Sequence, residues 1–257
     1  MIDIHSHILF GIDDGARTLE DSIAMAELAV AEGITHLLAT PHHKNGKFEN
    51  YKKSILKQVD LLQSELDQRN INLTVFPGQE VRLHGEIIEA IQADEILFAD
   101  ESHRYLLIEF PTLSIPHYAE SLFFQLLQQG ITPVIVHPER NQEIIENPTI
   151  LLDFVEKGVL SQLTASSYVG VFGKEIATLS KQFIEADLVH FLASDAHNTR
   201  GRSFHMKEGF EKLEKEFGTE KAEWFKQNAK DLVNGDDVDI GNPKEVKKKK
   251  GLFNFFK

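Results

Sequence analysis

Short apolar runs alternate with amphipathic stretches seven times along this chain, and six of the seven runs carry a histidine or a carboxylate near their C-terminal end or within the next four residues. The runs Met1–Ile4, Thr35–Ala39, Leu73–Phe76, Tyr105–Phe110, Thr132–Val136, Leu160–Leu163 and His190–Ala193 read as strands. Helical periodicity fills the intervals at 18–32, 49–68, 85–92, 117–129, 141–157 and 173–186, then continues at 203–216 and 219–233. Buried parallel strands joined by helical crossovers suit either a closed barrel or a doubly wound sheet. The polar residues decide between them. His5/His7, His42, Glu80, Glu109, His137 and Asp195/His197 are each expected just past the C-terminal end of a strand. A barrel brings all such ends to one face, where barrel active sites form, whereas an open sheet gathers only those at its switch point. The expected fold is therefore an α/β barrel.

The length of 257 residues suits one such barrel, and no boundary or internal repeat interrupts it before about residue 235. Residues 1–235 read as a single catalytic-type domain. Residues 236–257 read as a flexible tail that ends in a run of lysines and phenylalanines. A net charge of −13 argues against a nucleic-acid partner and would repel an anionic substrate on average. Any phosphate site must then be made locally positive. The chain has no cysteine, which removes disulfides, thiolate-ligated zinc and a cysteine nucleophile. Its N-terminus has no basic and apolar signal segment, so a cytoplasmic location is expected.

His5-Ser6-His7 spaces two imidazoles by one residue, which in extended backbone places both on one side. Asp195-Ala196-His197 repeats that spacing after the last strand, and in a closed barrel the first and last strands are neighbours. Between them come Asp14 in a glycine-bounded loop, His42 in Thr40-Pro41-His42-His43, Glu80 in Pro77-Gly78-Gln79-Glu80, Glu109 before Phe110-Pro111, and His137 before Pro138. A carboxylate such as Glu109, at the end of Leu106-Leu107-Ile108, needs a cation or partner if it is buried. All nine candidates are imidazole or carboxylate, the donor chemistry of a multinuclear divalent-metal site.

His5-Ser6-His7, Thr40-Pro41-His42-His43, Pro77-Gly78-Gln79-Glu80, His137-Pro138-Glu139-Arg140 and Ser194-Asp195-Ala196-His197 together resemble the motifs of the polymerase and histidinol phosphatase (PHP) superfamily. More narrowly, Met1-Ile2-Asp3-Ile4-His5, Asp13-Asp14-Gly15-Ala16, Ile108-Glu109-Phe110-Pro111 and Ser194-Asp195-Ala196-His197-Asn198 resemble the manganese-dependent protein-tyrosine phosphatases of bacterial capsule and exopolysaccharide operons. The resemblance runs from residue 1 to about 233. It implies a distorted seven-stranded, TIM-like barrel and three divalent metal ions, manganese first, with iron, cobalt or zinc as alternatives. By that resemblance His5, His7, Glu80 and Asp195 hold one ion, Glu80, Glu109 and His137 a second, and Asp14, His42 and His197 the third. His43 is left to a supporting role. Arg140 and Arg202 match arginines that contact the substrate phosphate, and His42 and His197 join them as catalytic candidates.

The implied reaction is direct attack on phosphotyrosine by a metal-bound hydroxide, without a phosphoenzyme. Three divalent ions against four carboxylates leave a net charge of about +2, which complements a phosphate monoester near −2. The implied partner is a tyrosine-phosphorylated protein, in the first place a membrane-linked bacterial tyrosine kinase. Lys247–Lys257 joins a basic cluster to Leu252, Phe253, Phe255 and Phe256, which suggests peripheral contact with the inner membrane face. Two other readings use the same ligands. One is a phosphatase of a small metabolite such as histidinol phosphate; the other is a non-catalytic phosphotyrosine-binding regulator.

Overall fold

The computed structural model describes residues 1–246, so Lys247–Lys257 and the membrane contact expected there lie outside the described residues. Seven parallel strand positions run around the molecule. The first is β1 (Ile2–Ser6), followed by α1 (Leu19–Ala31), whose Thr18–Asp21 capping box satisfies the first-turn amides. The second position is one strand in two pieces, β2 (His36–Ala39) and β3 (His42–His43), before the long α2 (Lys52–Gln68). The third is also divided, into β4 (Thr74–Pro77) and β5 (Glu80–Arg82), and leads to α3 (Ile87–Gln92). Then come β6 (Tyr105–Glu109), α4 (Ala119–Gln128), β7 (Thr132–Val136), a 3-10 turn over Pro138–Arg140, α5 (Gln142–Glu146) and α6 (Thr149–Glu156). The last units are β8 (Leu160–Thr164), α7 (Ala165–Val169), α8 (Lys174–Glu185), β9 (Phe191–Ala193), α9 (Met206–Phe217) and α10 (Thr219–Asn234).

Strands pair in the orders β1-β2-β4 and β3-β5-β6-β7-β8-β9. The break falls where Pro41 has no N–H to give, although Gly78 N–H still donates to Ala39 O at 2.8 Å and Glu80 N–H to Pro41 O at 3.2 Å. Beyond β9 the ring closes on β1. Asp195 N–H donates to His5 O at 2.9 Å, His7 N–H donates to Ala196 O at 2.8 Å, and Ser6 bridges Ala196 in parallel register. The expected adjacency of first and last strands is thereby realised, and with it the seven-stranded barrel.

Alternate residues of successive strands fill the interior, among them Ile4, Leu38, Leu107, Val134, Leu160 and Phe191, and Ala229 and Leu232 of α10 join this cluster. The opposite parity, Leu37, Leu106, Ile108, Ile135, Leu163 and Leu192, packs outward against helix residues such as Ile23, Leu62, Leu126 and Phe183. After α10 the chain stays on the barrel. Tyr105 Oη reaches Asp236 O, Asn228 Nδ2 donates to Asp239 O at 2.9 Å, and Lys244 N–H donates to Ala186 O at 3.0 Å. Residues 236–246 therefore follow the barrel surface. Among the described residues no helix is long and apolar enough to cross a membrane.

Candidate metal centre

The first histidine pair owes its position to a slip in β1. Its register with β2 runs Ile2 to His36 and Asp3 to Leu37, but Ser6 to Ala39, so one extra residue is taken up between Asp3 and Ser6. Such a bulge reverses the alternation. Ile4 faces the interior cluster, and His5 and His7, of the opposite parity, also turn inward. Register places the next candidates: His42 on β3 lies opposite Glu80 on β5, and Arg82 lies opposite Glu109 on β6. Four candidates, His5, His42, Glu80 and Glu109, are thus inside strands rather than just past them. His137 and Asp195 do follow their strands, each with left-handed backbone at φ 39° and 52°. That conformation costs a non-glycine residue of order 1–2 kcal/mol and turns each side chain back over the barrel mouth.

All nine candidates come together, and eight of them are buried; Asp14 is exposed. Three groups have donor atoms close enough to share an ion: His5, His7 and Glu80; His42, Glu80 and Glu109; and His7, Asp14, His42 and His197. His137 Nε2 is 2.7 Å from Glu80 Oε1, and Asp195 Oδ1 lies 3.4 Å from His5 Nε2 and 3.2 Å from His7 Nε2. His43, though buried, is not in any of the three groups and stands edge-on to Tyr51.

Several of the donor atoms face one another without a hydrogen bond between them, as ligands of one ion do. His5 Nε2 and His7 Nε2 stand 3.2 Å apart. His42 Nδ1 is 2.7 Å from Glu80 Oε2, yet neither atom, nor Asp195 Oδ1, nor His197 Nε2, has a hydrogen bond of acceptable geometry. Leaving that many buried polar atoms unsatisfied would cost several kcal/mol, so the set fits divalent cations at these positions. The other ring nitrogens are fixed by acceptors. His5 Nδ1–H donates to Gln162 Oε1 at 2.9 Å, His7 Nδ1–H to Asp13 Oδ2 at 2.8 Å, and His197 Nδ1–H to Asp195 O at 2.9 Å. Each bond leaves Nε2 turned into the centre, which is how outer partners orient metal-binding imidazoles.

Titration behaviour points the same way. Burial disfavours charge on His42, but Glu80 beside it overrides burial and its pKa is pushed up to about 10. His7 is likewise raised, burial being outweighed by Asp13 and then Asp195 and Glu80. Burial and the neighbouring Glu80 raise Glu109 to about 7. His137 falls to about 3 through burial and Arg140. The cluster favours protons on His7, His42 and Glu109 beside its ionised carboxylates, and metal ions would replace protons there.

A cavity of 340 Å³ opens beside the cluster, lined by Asp14, His42, Glu109 and His137 together with Arg82, Arg140 and Arg202. Phe48, Phe110, Thr112 and Val136 give it an apolar wall. Both expected arginines are present: Arg140 Nη2 donates to Asp195 Oδ2 at 2.5 Å, and Arg202 Nη2 to the same oxygen at 3.2 Å. Arg140 Nε is buried without an acceptor. Three contributors lay outside the sequence expectations. Arg82 donates through Nε to Glu109 Oε2 at 2.9 Å, and Asp13 and Gln162 orient His7 and His5. Asp13 stood next to a chosen ligand, but nothing in a linear reading separates Gln162 from any polar strand residue.

The family model for capsular polysaccharide synthesis, CpsB/CapC, matches residues 1–234. The chain belongs to the CpsB/CapC family. Among CpsB/CapC relatives it is 46% identical over 256 residues to the tyrosine-protein phosphatase YwqE of Bacillus subtilis (strain 168), covering 100% of both chains. It is 30% identical over 239 residues to the tyrosine-protein phosphatase CpsB of Streptococcus pneumoniae, covering 91% of this chain and 98% of that one. The crystal structures of YwqE from Bacillus subtilis and CpsB from Streptococcus pneumoniae, metal-dependent tyrosine phosphatases, include a chain that superposes with a TM-score of 0.94. That match has 45% identity and covers 96% of this chain and 100% of the other. The CpsB/CapC barrel described above is therefore shared over nearly its whole length.

Proposed function

We propose that this chain, a metal-dependent tyrosine phosphatase of the CpsB/CapC family, hydrolyses phosphotyrosine on a protein by direct displacement at phosphorus. The observation that carries this reading is the arginine-lined cavity opening on Asp14, His42, Glu109 and His137 of the clustered imidazoles and carboxylates. His5, His7, Glu80 and Asp195 would hold one ion, Glu80, Glu109 and His137 a second, and Asp14, His42 and His197 a third. Bound divalent ions supply Lewis acidity, ionising water at neutral pH and offsetting charge on the phosphoryl oxygens.

The chain's own residues bind and orient the substrate. Arg140 and Arg202 meet on Asp195 Oδ2 and line the cavity, so their remaining N–H groups are available to phosphate oxygens. Fork-shaped guanidiniums match phosphate geometry. Phe48 and Phe110 offer the apolar wall on which a phenyl ring rests. Arg82, paired with Glu109, holds that carboxylate at the cavity edge. His42 and His197 serve as ligands rather than proton donors, since phenolate leaves with little help. No covalent intermediate is needed, and the chain has no cysteine to form one of the usual kind. The partner is a tyrosine-phosphorylated protein, in the first place a kinase of capsule or exopolysaccharide synthesis. Lys247–Lys257 would hold the enzyme near that kinase at an anionic membrane face.

Phosphate release with added manganese from a phosphotyrosyl peptide, set against histidinol phosphate, tests the assignment. Faster turnover of the peptide, abolished by chelation, is expected; preference for histidinol phosphate would assign the site to a small metabolite instead. A trapped phosphoenzyme would overturn direct displacement. Liposome co-sedimentation of the full chain against one ending at residue 246 tests the tail, and equal binding would reject it.

A further inference from the structure

Of the seven arginines in the chain, five are paired with carboxylates: Arg69, Arg82, Arg104, Arg140 and Arg202. Among the described residues, Arg17 and Arg200 have no such partner, although acidic residues outnumber basic ones by 40 to 27. Both are exposed, and both line one cavity of 560 Å³. That cavity shares Asp14 with the 340 Å³ cavity and also contains His197, so the two spaces meet at the candidate metal centre.

The local structure keeps these guanidiniums unpaired. Asp21 lines the same cavity, but its Oδ2 accepts the backbone N–H groups of Arg17 at 3.2 Å and Thr18 at 3.1 Å, where it caps α1. Asn198 Oδ1 accepts the N–H groups of Arg200 at 3.0 Å and Arg202 at 3.3 Å. This turn sends two arginines of one loop to different tasks: Arg202 to Asp195, and Arg200 to the second cavity. Ala24 and Met25 give the cavity an apolar lining between its charged groups.

We propose that Arg17 and Arg200 form a specificity subsite for acidic residues flanking the phosphotyrosine of the substrate protein. The proposal rests on the phosphotyrosine reading above. A phosphate seated against the centre brings the adjoining peptide past Asp14, and the next residues, each advancing about 3.3 Å in extended chain, enter the second cavity. The overall charge of −13 disfavours an acidic peptide on average, so two unpaired arginines beside the centre favour one locally. They bind carboxylates without touching the reacting phosphate.

Three phosphotyrosyl peptides that differ only in their flanks (Asp/Glu, Ala or Lys) provide the test, with manganese at low and high salt. Wild type is expected to favour the acidic over the alanine peptide in kcat/KM by about tenfold at low salt, less at high salt. In the double variant R17A/R200A the ratio falls to about one. In R17E/R200E the order inverts and the lysine peptide leads, an outcome that misfolding cannot produce. A wild-type ratio of one, or a ratio unchanged in R17A/R200A, overturns the subsite while leaving the phosphatase assignment intact. Turnover of histidinol phosphate but of none of the three peptides overturns that assignment and the subsite with it.

Discussion

Asp13 and Asp14 are adjacent and chemically identical, yet the fold gives them different work. Asp14 Oδ1 lies 3.3 Å from His42 Nε2 and 3.4 Å from His197 Nε2. Asp13 instead receives His7 Nδ1–H at 2.8 Å, the His42 N–H at 3.2 Å and the Gly15 N–H at 2.9 Å. It therefore fixes the tautomer of one candidate ligand and the backbone of another. Asp13→Asn should keep the loop's shape but weaken manganese binding by about 10- to 100-fold, as loss of an outer partner usually does. Manganese titration of the variant, read by calorimetry, checks this; wild-type affinity would show that His7 needs no such support. The aspartate pair also marks how far the sequence can be read. Family resemblance singled out Asp14, but only the folded loop shows that Asp13 holds the imidazole of His7.

At the scale of elements, the loop from His7 to α1 crosses its own strand so closely that Gly15 has no room for a side chain. A Cβ there would stand 2.1 Å from His7 O and 2.5 Å from His7 Cβ. Gly15→Ala must push the loop off β1, at about 2–3 kcal/mol for an overpacked contact, and move Asp13 and Asp14 with it. Thermal unfolding should show a fall in Tm of roughly 5–10 °C for a chain of this size, with loss of activity. An unchanged Tm and activity would mean that the loop position is not fixed by this contact. Most strands and helices here were legible from periodicity. The breaks at Thr40-Pro41 and Gly78-Gln79, the extra residue in β1, and the short helix Ala165–Val169 were not. These features depend on what the neighbouring strand offers, and a local pattern of apolar residues contains no record of that neighbour.

Across the whole molecule, the barrel end remote from the centre buries a second kind of polar group. His190 is fully buried, accepts the Ser161 N–H at its Nδ1 at 3.1 Å, and leaves Nε2 unpartnered. Burial lowers its pKa from 6.5 to about 4. The folded protein thus binds this proton less readily than the unfolded chain. Above pH 6.5 neither state is charged at His190 and its contribution to stability is complete; as pH falls from 6.5 toward 4 the unfolded state takes up the proton first and stability is lost. The full loss is up to about 3 kcal/mol. Denaturant unfolding between pH 7 and pH 4, at fixed manganese, should show a shallower decline for His190→Asn than for wild type. Parallel declines would mean that His190 does not contribute to acid sensitivity.

By itself the sequence determined the α/β class and the order of the chemistry along the strands, because apolar runs with polar residues near their ends are local signals, and the family resemblance added the full set of nine candidate donors. It also marked the His5–His7 pair and its counterpart Asp195–His197 as ends that should meet. Only the tertiary structure decided how they meet. Closure of the last strand onto the first, through Asp195 N–H to His5 O and His7 N–H to Ala196 O, joins residues nearly two hundred positions apart. A one-residue slip in β1 then selects the face on which His5 and His7 stand. The outer partners Gln162 and Arg82, and the unpaired Arg17 and Arg200 in one cavity, follow from the same cause. Which polar groups become neighbours is set by barrel closure and register, and both are properties of the packed chain.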